Sequence, residues 1–108
     1  MNYESEREMK INRWSAEIIP TENMIRHLFL TEGLDPQEVI IPSGAKMSHC
    51  RTRMTEVIQV TSGEIIFNLS GTQFALRTGD RLEMAANTQY SYSNMKQESC
   101  AFLTGMRV

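Results

Sequence analysis

The chain has 108 residues, 41% of them apolar and 22% charged, with a formal charge of -2 at neutral pH. That is the length of one domain with one core and the composition of an ordinary globular protein. The charges are spread along the chain without a Lys/Arg cluster, and no apolar run approaches the roughly 18 residues of a membrane span, so neither nucleic acid nor a bilayer is an expected partner.

The opening "MNYESEREMK" is charged where a secretory leader would be apolar. Cys50 and Cys100 are the only cysteines, which suits reduced thiols rather than a disulfide framework, and a cytoplasmic protein is expected. Glu4 and Glu8 with Arg7 would suit a helical turn. The stretch from Glu6 to Ile19 reads two ways. It holds a short helical turn, or Trp14, Ile18 and Ile19 form an edge strand that closes a sheet or reaches a partner subunit. Residues 1–20 are therefore assigned as an N-terminal arm or edge strand, and residues 21–108 as the main body.

From there the chain alternates short Val-, Ile-, Leu-, Phe- and Thr-rich runs with turn residues. "MIRHLFL" precedes "TEGLDP", "QEVII" precedes "PSG", "EVIQV" precedes "TSG", "EIIFNL" precedes "SGT", "QFALR" precedes "TGD", and "CAFLTGMRV" ends the chain. Turn signals at this spacing, without a long 3.6-residue stripe, predict an all-β sandwich or barrel, with "MIRHLFL" as one of its strands. His27 in that run reads as a hydrogen-bonded strand residue rather than a ligand.

The interval Gly44 to Gly63 and the segment "GDRLEMAANTQYSYSN" from Gly79 to Asn94 resemble the two signature motifs of the cupins. In that family the first motif runs G, five residues, H-x-H, three or four residues, E, six residues, G. The second runs G, five residues, P-x-G, two residues, H, three residues, N. Gly79, Ala85, Asn87, Tyr90 and Asn94 fall on the second spacing without a gap. The resemblance implies a single-domain jelly-roll β-barrel, the double-stranded β-helix.

It also implies a metal held by three His and a Glu, and here the chain departs. It contains only His27 and His49. Counting five residues from Gly44 puts Cys50 and Thr52 at the two His positions and Glu56 at the Glu position. Their shared parity points all three into the barrel if they belong to a hairpin without a bulge, leaving His49, Arg51 and Arg53 outside. The other register takes His49 and Arg51 with Glu56. Under the first register the lumen set is Cys50, Thr52, Glu56 and Tyr90. Thr and neutral Tyr are poor metal ligands, and two good donors fall short of the three usual for zinc or non-haem iron.

The expected function is thus a barrel that binds a small molecule in its lumen without metal-dependent catalysis and without a cofactor. Glu56 would accept hydrogen bonds, Cys50, Thr52 and Tyr90 would line the site, and Met84, Met54 and Tyr92 would supply wall. The alternative is a metal-dependent enzyme of the dioxygenase or isomerase type, which occur in the family, with an atypical ligand set. Asn87 in place of the turn Gly is compatible with a left-handed backbone, and Ala85 in place of Pro predicts a looser rim. A homodimer is expected, because "RWSAEII" and "AFLTGMRV" offer edge strands that need covering.

Overall fold

The computed structural model describes residues 9–107, so Glu4, Arg7 and Glu8 lie outside the described residues. In chain order the elements are β1 (Met9–Asn12), α1 (Glu22–Thr31), β2 (Gln37–Ile41), β3 (Lys46–Arg51), β4 (Thr55–Ser62), β5 (Glu64–Leu69), β6 (Thr72–Arg77), β7 (Arg81–Met84), β8 (Gln89–Ser93) and β9 (Cys100–Arg107). They form two antiparallel sheets, one ordered β1-β7-β4-β9-β2 and the other β3-β8-β5-β6. The fold is the expected all-β jelly roll.

Period-2 alternation divides each strand between two environments. On β4, Ile58 and Val60 face the lumen with Leu82, Met84 and Phe102, while Val57 faces the other way and packs with Leu103 beneath α1. On β5, Ile65, Phe67 and Leu69 are buried and the residues between them half-buried. The lumen is packed rather than hollow at its centre. Phe67 lies between Phe74, Tyr90, Tyr92 and Phe102, with ring centroids 5.3 to 6.4 Å away.

One predicted strand is a helix. "MIRHLFL" lies within α1, and the reason is legible in its ends. The Thr21 side chain accepts a hydrogen bond from Met24 N–H at 3.2 Å, capping the N-terminus. Gly33, at φ 77, closes the C-terminus: its N–H bonds Leu30 O, and Leu34 N–H bonds Phe29 O at 2.9 Å. Ile25 and Phe29, four apart, then bury one face against the five-stranded sheet together with Leu34. His27 is accordingly an exposed helix residue, not part of a strand.

Charges fix this helix in place. Glu32 at its C-cap bonds Arg81 and Arg107, each at 2.9 Å, and Arg107 also bonds Glu83 at 3.0 Å. The Arg81 guanidinium lies 5.2 Å from the Phe29 ring centroid. Hydrogen bonds from Arg81, working against burial and helped by Arg107, hold the Glu32 carboxyl below its ordinary pKa.

Of the ambiguous N-terminal stretch, residues 9–12 pair with β7 as an edge strand. Trp14, Ile18 and Ile19 do not continue it. Ile18 and Ile19 are exposed, and Trp14 packs on Gly79, where a Cβ would sit 2.7 Å from the indole's Cβ and Cγ. The expectation that "AFLTGMRV" supplies an edge is also corrected. β9 lies between β4 and β2, because seven of its residues pair β4 and five pair β2.

Candidate functional site

The first motif bends from one sheet to the other. β3 pairs β8 whereas β4 pairs β7 and β9, so Cys50 and Glu56 do not share a hairpin. They meet across the lumen from facing sheets, which gives the convergence expected from parity by a different route. β3 is moreover bulged. Met47 pairs Tyr92 and Cys50 pairs Tyr90, so three steps on β3 match two on β8. His49, at φ 60, carries the bulge.

Glu56 is buried to 8% exposure. Thr104 Oγ1 donates to its Oε2 at 2.6 Å, a short charge-assisted bond. The register places Met84 and Met106 on either side of it along one row of the five-stranded sheet. Met84 is fully buried, while Met106 is 43% exposed and marks the end of the lumen nearest solvent.

The field of the Glu56 carboxylate is felt by the groups facing it. Burial, reinforced by Glu56, pushes the Cys50 thiol above its ordinary pKa. Burial raises the Tyr90 and Tyr92 phenols as well, Tyr90 strongly, with Glu56 and Cys50 contributing to both. Cys50 and both tyrosines are thus protonated at neutral pH. Tyr92 is also a core residue, edge-on to Phe102 at 5.6 Å.

Five of the six predicted site residues therefore gather at one end of the lumen: Cys50, Glu56, Met84, Tyr90 and Tyr92. Thr52 is buried but differently employed. Its hydroxyl donates to Ala85 O at 2.7 Å and accepts from Thr88 N–H at 2.8 Å. Its backbone adds Thr52 N–H to Thr88 O and Asn87 N–H to Thr52 O, each at 2.9 Å. The rim loop that lacks the motif's proline is thus tied to Thr52 by four hydrogen bonds. Asn87 does adopt the left-handed backbone, at φ 67.

Met54 is an exposed side chain. Thr104 and Met106 were not singled out in the sequence. The signal was present, since both share the parity of Phe102, and a lone Thr inside "AFLTGM" marks a polar position on an apolar face.

The family's metal chemistry does not fit these residues. The Thr52 hydroxyl is spent on the loop, the Tyr90 phenol holds its proton, and only Cys50 and Glu56 remain as good donors in the lumen. The register that joins His49 to Glu56 fails as well: His49 is exposed beside Ser48, Asn68 and Ser91 on the outside of the four-stranded sheet, and Arg51 is bonded to Asn87 at 2.8 Å. Among the described residues, no three His, Cys, Asp or Glu side chains are grouped to hold a metal ion. Nor is any helix among them long and apolar enough to cross a membrane.

No protein-family model matches the chain, and no curated protein matches it in sequence. Solved structures do match in fold. The chain superposes on a Cupin 2 conserved barrel domain protein from Salinispora arenicola with a TM-score of 0.61 at 9% identity, covering 93% of this chain and 76% of that one. The Cnp3 cupin domain of Schizosaccharomyces pombe gives 0.62 at 16% identity, over 93% of this chain and 61% of that one. The Cupin 2 domain of an XRE family transcriptional regulator from Enterobacter cloacae gives 0.60 at 17%, over 94% and 97%. A match to Drosophila melanogaster CENP-C in its structure bound to CAL1, at 21% identity and a TM-score of 0.59, covers 65% of this chain and only 57% of that one. With nine described strands in two antiparallel sheets, both motif spacings in place and cupin barrels as its structural neighbours, the chain has the fold of a small cupin domain.

Proposed function

We propose that this domain is a non-catalytic binding barrel that takes a small molecule at the end of its lumen, where Glu56 accepts hydrogen bonds from it. The observation that carries this reading is the carboxylate itself. Glu56 is buried beside Met84 in the sheet register, its charge reaches Tyr90, Tyr92 and Cys50, and Thr104 serves one of its oxygens. No described Lys or Arg side chain forms an ion pair with it. Burying a carboxylate on so little compensation is costly, and a donor from a ligand would offset that cost. Half-exposed Met106 supplies an adaptable apolar border. Protonated Cys50 is a weak nucleophile, which favours binding over covalent chemistry.

The reading includes a homodimer, now based on β2. That strand closes one edge of the five-stranded sheet, and Ile40 on it is 60% exposed.

The test is native mass spectrometry of gently purified protein with a thermal-shift screen over metabolites, repeated on Glu56→Gln. A ligand at a hundredfold excess over its Kd stabilises the fold by about 2.7 kcal/mol. Wild type should retain an organic mass or show such a shift, and the variant should lose it. A metabolite that stabilises both proteins equally, or a screen that moves neither, would overturn the lumen site.

A further inference from the structure

The bulge in β3 has an effect on the opposite side of the sheet from the lumen. It turns His49 into the left-handed backbone region, where glycine is the usual residue, and sets it at a surface hollow of about 290 Å³. Ser48, Asn68, Gln89, Tyr90 and Ser91 form the rest of its wall, with Ser70 at the rim. Ser70 is also left-handed, at φ 51, but the two-residue Ser70–Gly71 hairpin turn accounts for that. Nothing in strand pairing requires a His at the bulge.

The hollow's chemistry is consistent from wall to wall. Its side chains are hydroxyls, carboxamides and an imidazole, with no Asp, Glu, Lys or Arg, and Tyr90, whose ring lies in the lumen, adds only backbone. Asn68 Oδ1 accepts from Gly71 N–H at 3.2 Å, which leaves its amide nitrogen available. The side chains of Ser48, His49, Gln89 and Ser91 make no hydrogen bond to another described residue. A fixed anion would call for a cation in the wall, and a cation for a carboxylate. Paired donors and acceptors without net charge match a neutral ligand bearing several hydroxyls. The volume is at the small end for ligand sites, as a single sugar ring requires. A second, smaller hollow of about 160 Å³ shares Ser48, Asn68 and Ser91 and continues along the sheet past Lys46, so the charge-free wall is that of the first hollow and a second unit would extend over the other.

We propose that this outer hollow is a saccharide-binding site, separate from the lumen, in which the bulge holds His49 in a costly conformation to present its imidazole to sugar hydroxyls.

The experiment uses the chain's two histidines. Imidazole resonances are followed by NMR while methyl α-D-glucopyranoside, N-acetyl-D-glucosamine or maltose is added to tens of millimolar, with inorganic phosphate as the charged control. His27 on α1 is the internal reference. At least one saccharide should move His49 saturably, leave His27 in place and outdo phosphate, with maltose tighter than the single ring. His49→Gly suits the backbone, so its thermal midpoint should equal or exceed wild type while saccharide affinity, read from Gln89 and Ser91 amides, falls at least tenfold. Ser91→Val, compatible with a strand, should weaken binding similarly should the first variant fail to fold. Glu56→Gln should leave it unchanged, which separates this site from the lumen. The proposal is overturned if no saccharide moves His49, if phosphate moves it as strongly, if either hollow variant binds like wild type, or if Glu56→Gln abolishes binding.

Discussion

Cys50 and Thr52 occupy equivalent places in the motif and meet opposite fates. Cys50 packs against the aromatic core, and burial together with the Glu56 charge keeps its thiol protonated. Thiolate reactivity follows pKa and access, so Cys50 should react slowly with iodoacetamide at pH 7.5 compared with the same thiol in urea, by tenfold or more. Glu56→Gln removes the smaller of the two causes and should recover part of the rate, while Cys100, raised by burial alone, should not respond. Peptide mapping after timed quenching reads both thiols in one sample, and a folded Cys50 as fast as a denatured one would contradict the assignment. Thr52 shows why a sequence motif does not by itself define a site. Its position was predicted and its burial follows, but its hydroxyl is consumed by Ala85 and Thr88. Parity along a strand says which side a residue faces, not which partner it finds there.

Among the elements, the strands with strict alternation were legible and the helix was not. "EIIFNL" coincides with β5, and "QEVII" with β2, because one lumen face and one outer face impose period 2 on them. In "MIRHLFL" the buried pair Ile25 and Phe29 is also compatible with a short apolar run. The decisive signals lay outside the run, in Thr21 at its start and Gly33 at its end. The bulge at His49 was equally hidden, since no glycine marks it. Edges were misjudged for a further reason: sheet order depends on pairing between distant segments, which composition does not encode, and β9 proved internal. The edge that matters is β2. Its unpaired side and exposed Ile40 lead to the expectation that Ile40→Lys converts a homodimer to monomer at micromolar concentration, by placing a charge on the edge. Sedimentation velocity of both proteins decides this. A wild-type monomer, or a variant that still dimerises, would move the interface elsewhere or remove it.

At the scale of the whole molecule, buried titratable groups limit stability from both sides of neutrality. On the acid side, Asp80 receives hydrogen bonds from Arg77 N–H and Trp14 N–H and an ion pair from Arg13 at 2.8 Å. Burial works to raise its pKa, but these three contacts prevail and hold it below the ordinary 3.8. Glu32 is likewise held below 4.5. A depressed carboxyl contributes stability that is present above its unfolded pKa and lost as pH falls through its folded pKa, so both contributions fade below about pH 4.5. On the alkaline side, the phenols of Tyr90 and Tyr92 are raised above 10.0 and the thiols of Cys50 and Cys100 above 9.0. A raised group has the reverse sign. Its stability is fully present below the unfolded pKa and is lost as pH rises toward the folded one, so destabilisation begins near pH 9. Urea midpoints measured from pH 3 to 11 should therefore describe a plateau between roughly 5 and 8.5 with a fall on each side. Asp80→Asn should lower the plateau by about 1–3 kcal/mol, since it strips charge from a buried acceptor, and should flatten the acid limb. Tyr90→Phe keeps the ring in its stack against Phe67 but deletes the most strongly raised of the four titrating groups, so it should make the alkaline limb shallower and leave the acid limb alone. An alkaline limb unchanged in Tyr90→Phe would mean that the phenol titrates freely, and with it would go the picture of a closed, negatively charged lumen around Glu56.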